Sequence, residues 1–142
     1  MQHPSHKAAH KKDTASLFTE VGKVIKSRMQ ESMPLPFSQY QTLSFVAERE
    51  SPSMLDVAKY FKIRAPSATF LVDELVRAGQ IERKANLKDR RKVELRLTAK
   101  GKKSFRVLEE RRNKVLNSVF GTLNESDRKA LNDILEKVVD SV

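Results

Sequence analysis

A mainly α-helical fold with one small β-hairpin is what this 142-residue sequence predicts. Two observations carry the prediction. Most apolar residues recur at steps of three and four, the period of a helix that buries one face. One stretch, Val93-Glu94-Leu95-Arg96-Leu97, instead alternates apolar and polar, the period of a half-buried strand. The length suits one domain with a modest core. No apolar run approaches the length of a bilayer span, and no apolar signal-peptide core follows the basic start. With no cysteine for disulfides or thiolate metal sites, we expect a soluble, cytoplasmic protein.

The elements follow in chain order. Residues 1–12 are polar and basic, and are expected to form a flexible arm. His3, His6 and His10 lie there at steps of three and four; on a helix they would share a face as possible metal ligands, although Pro4 argues against an early helix. Asp13 is a plausible N-cap for a helix carrying Leu17, Phe18, Val21, Val24, Ile25 and Met29 on one stripe. Pro34 and Pro36 end it. A second helix is expected from Ser38 to about Glu50, burying Leu43, Val46 and Ala47. Ser51, Pro52 and Ser53 then supply cap chemistry for a short helix whose apolar positions are Leu55, Ala58 and Tyr60 or Phe61.

A tight turn carrying Ile63 leads into a helix with Pro66 near its first position and Gly79 just past its end. Ala68, Leu71, Val72 and Leu75 are its inward residues. Two helices joined so closely make a helix-turn-helix. Ile81 anchors a first strand and Val93–Leu97 forms a second, so a hairpin, or wing, follows directly. Thr98 caps a long helix with Phe105, Leu108, Val115, Leu116, Val119 and Phe120 inward, closed by Gly121. Asn124 caps a last helix striped by Leu131, Ile134, Leu135, Val138 and Val139. The expected fold class is therefore a winged helix-turn-helix with long N- and C-terminal dimerisation helices. Its parts are the arm at 1–12, a helix and linker at 13–36, the winged helix-turn-helix at 37–99 and the terminal helices at 100–142, all in one compact domain.

Charge points to a partner. There are 28 Lys+Arg against 18 Asp+Glu, a formal net charge of +10. Between Arg83 and Lys103 lie ten basic residues and two acids, Asp89 and Glu94, so +8 of the +10 falls in 21 residues. An excess this local favours nucleic acid or an anionic membrane surface. Its densest part, Asp89-Arg90-Arg91-Lys92, sits at the hairpin tip, where a charge run is either simply solvated or placed to touch a polyanion. Catalysis finds little support. There is no Gly-rich phosphate loop and no histidine beyond the arm; Glu109 and Glu110 fit an ordinary exposed helix face. No cofactor and no metal is expected.

The run "LDVAKYFKIRAPSATFLVDELVRAGQIERKANLKDRRKVELRLTAKGKK", Leu55 to Lys103, resembles the MarR family of winged-helix transcription regulators. The wing carries the resemblance best, with an Asp-x-Arg tip, Asp89 to Arg91, before a strand ending in Leu-Thr-x-x-Gly at Leu97 to Gly101. "LVDELVRAGQIER" is similar to the family's exit from the recognition helix, and "LNESDRKALNDILEKV" to its terminal helix. Where many members start the recognition helix with Ser and a basic residue, this chain has Arg64 and Ala65, and a further basic position is Phe70.

The resemblance implies a homodimer joined by its terminal helices, with Leu17, Val21, Leu131, Leu135, Val138 and Val139 at the contact. It implies binding to a pseudo-palindromic operator in double-stranded DNA, repression, and release by a small-molecule effector near the junction of dimer and wing. Arg91 would enter the minor groove, Asp89 would orient its guanidinium, and Lys88, Arg90 and Lys92 would face phosphates. From the residues themselves, Arg64, Pro66, Ser67, Thr69 and Phe70 form the outward start of the recognition helix, where side chains reach base edges. Ser67 alternatively caps the helix, and Phe70 alternatively packs on a neighbour. Arg77, Arg83, Lys84 and Arg96 are weaker phosphate candidates; Lys100, Lys102 and Lys103 line the start of the long helix. Two other readings stand beside DNA binding: a basic face for protein or RNA, and a metal-responsive regulator using the three histidines.

Overall fold

The computed structural model describes residues 11–142, so the three histidines and most of the arm lie outside the described residues. The described residues form six helices and one hairpin: α1 (Thr14–Ser32), α2 (Phe37–Glu48), α3 (Met54–Phe61), α4 (Ala65–Arg77), β1 (Ile81–Ala85), β2 (Val93–Leu97), α5 (Ala99–Val119) and α6 (Glu125–Asp140). No helix among them is long and apolar enough to cross a membrane.

Local chemistry sets the boundaries. Asp13 accepts a bond from the Ser16 N–H at 2.8 Å and starts α1. Ser53 and Asp56 form a capping box, each side chain accepting from the other's backbone N–H at 3.2 and 2.8 Å, and so start α3. Lys62, at φ 52°, makes the left-handed turn between α3 and α4. Gly79, at φ 72°, ends α4, where the left-handed conformation suits a residue with no Cβ. α2 stops at Glu48, two residues before the expected end, because Arg49 is already extended.

The hairpin is antiparallel, with Ile81 opposite Leu97, Arg83 opposite Leu95 and Ala85 opposite Val93. On the other side of β2, the Leu95 N–H donates to the Pro52 carbonyl at 2.8 Å and Ser53 bridges to Glu94. The wing is thereby stitched to the start of the helix-turn-helix as well as to its exit.

A knot of bonds ties α4, the hairpin and α5 together. The Thr98 hydroxyl donates to the Gly79 carbonyl at 2.5 Å and accepts from the Gly101 N–H at 3.0 Å. The Thr98 N–H donates to the Gln80 carbonyl at 3.1 Å, and Lys100 Nζ donates to the Ala78 carbonyl at 2.8 Å. The last bond places a cation at the negative end of α4. A Cβ on Gly101 would lie 1.9 Å from the Gln80 carbonyl oxygen, so only glycine lets α5 pass this close. The Leu-Thr-x-x-Gly pattern is the chemistry of that crossing.

Leu43, Val57, Val72, Leu75 and Leu95 are wholly buried between α2, α3, α4 and the hairpin, with Leu108 of α5 closing the core. Three assignments need correction. In α3 the wholly buried residue is Val57, with Ala58 and Phe61 packed against the core as expected, whereas Leu55 and Tyr60 are 61% and 53% exposed. Val93 is also exposed, because the hairpin tip extends beyond the helices. Ala47 is only half-buried; Tyr40 and Phe45 fill the α2 interface instead. The Tyr40 hydroxyl donates to Glu109 of α5 at 3.1 Å, and burial pushes its phenol pKa up.

Candidate nucleic-acid interface

The wing loop between β1 and β2 is built by two short acceptor side chains. Asn86 Oδ1 accepts from the Lys88 and Asp89 N–H groups at 2.8 and 3.1 Å, an Asx turn. Asp89 Oδ1 then accepts from the Arg91 N–H at 3.1 Å. The loop closes through Asn86 N–H to the Lys92 carbonyl at 2.9 Å and Lys92 N–H to the Asp89 carbonyl at 3.0 Å. Asn86 Nδ2 also donates to the half-buried Glu94 carboxylate. Asp89 therefore shapes the tip through the Arg91 backbone. Among the described residues the Asp89 carboxylate meets the Arg91 backbone, and no ion pair joins it to the Arg91 guanidinium.

This leaves two kinds of cation on the hairpin and the end of α4 that leads into it. Arg77 pairs with Glu74 at 3.0 Å, Lys84 with Glu82 at 3.3 Å, Arg96 with Glu94 at 3.2 Å, and Arg83 with Asp73 across the α4–β1 junction. Lys88, Arg90, Arg91 and Lys92 are exposed and enter no ion pair among the described residues. An exposed pair is worth under about 1 kcal/mol, so the paired cations remain recruitable, but each must first leave its acid. The tip cations need no such exchange. Leu87, 97% exposed beside them, gives no signal in the sequence because an isolated leucine in a loop breaks no pattern.

Helix α4 lies next to the wing. It starts at the N-cap Arg64 with no side-chain capping bond, so the capping role that competed for Ser67 is not taken up. Ala68, Val72 and Leu75 face the core. Pro66, Ser67, Thr69 and Phe70 are exposed away from that core face, Phe70 at 62%. The recognition-helix candidates and the wing candidates are thus all exposed, and the wing follows directly from the end of α4.

A second feature lies between α1, α2 and α5. Ile25, Met29, Phe37, Tyr40 and Leu116 line an apolar cleft with Arg112 at its rim. Arg112 binds Glu109 at 2.8 Å, yet its Nε is buried without a hydrogen-bond partner. A buried donor left unpaired costs about 1–3 kcal/mol.

This exposed helix, with a cationic hairpin at its exit, defines a winged helix-turn-helix. Residues 33–92 match the model of the MarR family. Over those residues, which take in the helix-turn-helix and most of the wing, the chain is similar to that family of winged-helix regulators. Solved structures agree on the fold. A mutant MarR from E. coli superimposes with a TM-score of 0.81 at 19% identity, covering 91% of this chain and 98% of that one. An S. aureus MepR mutant bound to an oligodeoxyribonucleotide gives 0.63 at 20% identity, covering 92% and 99%. The M. tuberculosis MarR family protein Rv2887 in complex with salicylic acid gives 0.75 at 19% identity, covering 92% and 98%. Comparison with curated proteins finds no match.

Proposed function

We propose that this protein is a sequence-specific, double-stranded-DNA-binding transcription regulator that works as a homodimer. The observation that carries the proposal is the cluster of four cations unpaired among the described residues, Lys88, Arg90, Arg91 and Lys92, on the tip of the hairpin that follows α4, whose outer face is exposed. α4 fits a major groove. The tip reaches the flanking minor groove, where Arg91 meets concentrated negative potential and Lys88, Arg90 and Lys92 meet phosphates. Arg64 adds a contact at the start of α4; Arg77, Arg83, Lys84 and Arg96 exchange their acids for phosphates as the surfaces close. Phosphate contacts fix register, while base contacts specify.

The dimer follows from apolar residues that one chain leaves uncovered. Leu17 and Val21 of α1 are 48% and 38% exposed; Leu135, Val138 and Val139 of α6 are 42%, 56% and 72% exposed, and Leu131 is half-buried. Burying each such side chain is worth roughly 1.5–3 kcal/mol, and a two-fold pairing buries each of them twice. Residues 13–36 and 100–142 then form the dimerisation part and 37–99 the DNA-binding part. Two copies of α4 enter successive major grooves of a pseudo-palindrome.

The protein represses by occupying promoter DNA. A small-molecule effector with a carboxylate seats its ring on Phe37 and Leu116, pairs with the accessible part of the Arg112 guanidinium, and changes the spacing of the two recognition helices. The S. aureus relative bound to an oligodeoxyribonucleotide and the M. tuberculosis relative in complex with salicylic acid support these two parts of the reading. Selection from a random duplex pool tests it. Enrichment of a site with two related half-sites, about one helical turn apart, is expected; a pool that stays random contradicts it.

A further inference from the structure

The recognition helix is poor in the side chains that read bases through paired hydrogen bonds. From Ala65 to Arg77 it contains no Asn, Gln or Lys, and its one Arg is the last residue. Its two carboxylates are engaged, Asp73 by Arg83 and Glu74 by Arg77 at 3.0 Å. Forked recognition of guanine by Arg or Lys, and of adenine by Asn or Gln, is therefore absent from the face that the helix presents. Behind Arg64 at the N-cap, what that face offers is two small hydroxyls, the methyl group of Thr69, and one large apolar ring. Phe70 follows Ser67 by three residues and Pro66 by four, so all three share the outward side.

In the major groove, the one apolar feature of a base edge is the methyl on pyrimidine C5. We infer that Phe70 is the base-discriminating residue of α4, and that it reads the C5-methyl group of a pyrimidine in each half-site. The inference rests on the DNA-binding reading and specifies its substrate: duplex whose half-sites present thymine, or equally 5-methylcytosine, to Phe70. The two bases carry the same methyl at the same place. Binding at that position then responds to cytosine methylation, which a hydrogen-bonding reader of the pyrimidine would not sense in this way. Wing and helix divide the work: the tip supplies sequence-independent attraction, and Phe70 supplies discrimination.

The test uses the full-length protein and an operator obtained by selection. Each thymine is replaced in turn by deoxyuridine, which removes only the methyl. At one position per half-site, affinity is expected to fall about fourfold for each methyl, and roughly fifteenfold when both half-sites are changed. Cytosine there binds weakly, and 5-methylcytosine restores binding. Phe70→Ala lowers affinity for the thymine operator and abolishes its preference over deoxyuridine; Phe70→Leu, still apolar, keeps part of that preference. Because Phe70 is exposed, both variants should retain the wild-type melting temperature. Equal affinity for thymine and deoxyuridine at every position, with DNA binding intact, overturns the inference and leaves the DNA-binding reading standing. So does a thymine preference that survives unchanged in Phe70→Ala. Failure to bind any duplex removes both.

Discussion

Helices α4 and α6 are both amphipathic and both well bounded, yet they end in opposite situations. α4 buries Ala68, Val72 and Leu75 against α2, α3 and the hairpin, and leaves a mixed polar and aromatic face outside. α6 is capped by Asn124, which accepts from the Asp127 N–H at 2.8 Å, but none of its residues is buried within the chain. Ile134 and Val139 stand 58% and 72% exposed. A stripe of that kind has no packing reason to exist in one copy. Under the proposed dimer, the contrast separates a part that folds on its own contacts from a part that a second chain would complete, and it leaves α4's outer face exposed.

Truncating the same residue type in each helix should break this contrast most strongly. Leu75→Ala removes a wholly buried side chain and is expected to cost about 2–5 kcal/mol of stability at any protein concentration. Leu135→Ala should lower stability only where the dimer is populated, so its effect fades on dilution. Denaturant unfolding of both variants at two protein concentrations reads the difference. Concentration-independent loss in Leu135→Ala would place α6 inside the single-chain core instead.

The hairpin's two classes of cation give a sharper and smaller effect. Arg91→Ala is expected to weaken operator binding by roughly 1–3 kcal/mol. Lys84→Ala removes a cation already paired with Glu82, and should cost less than about 1 kcal/mol. Titration of one labelled operator with both variants decides it. Equal losses would mean that prior pairing makes no difference.

The smallest effect belongs to the cap of α3. Ser53→Ala should cost about 1 kcal/mol near neutral pH. The Ser53 backbone and hydroxyl donate to Asp56 and hold its carboxyl below the ordinary range. A folded-state pKa below the unfolded one stabilises above the unfolded value and stops doing so as pH falls through the folded value. The difference between wild type and Ser53→Ala should therefore shrink between pH 5 and about pH 3. A difference that persists unchanged in acid would separate the cap from the Asp56 charge.

Much of this architecture is legible in the residues. Pro66 and Gly79 bracket α4 because a missing N–H and a left-handed residue have few other uses there. The alternation in Val93–Leu97 gives the strand, and Thr98 and Asn124 cap the helices that follow them. The α3 face is not legible, because an eight-residue helix offers too few turns for periodicity to choose. Leu55 and Tyr60 look like better core residues than Val57, and only the position of α4 decides against them. The role of Asp89 is hidden for a related reason. Its charge suggests a side-chain pair, whereas an Asx turn is a backbone geometry, hinted at only by Asn86 three residues earlier. The Asp73–Arg83 pair spans a helix–strand junction, and no local spacing encodes it.

The central claim, that the uncommitted wing-tip cations bind duplex DNA, is tested most directly by the slope of log affinity against log salt concentration. For the wild type a steep negative slope is expected, because several phosphates are neutralised at once. Replacing Lys88, Arg90, Arg91 and Lys92 together by alanine should flatten that slope by about one unit for each phosphate that is no longer neutralised. An equally steep slope in the substituted protein, or a shallow one in the wild type, would contradict the account.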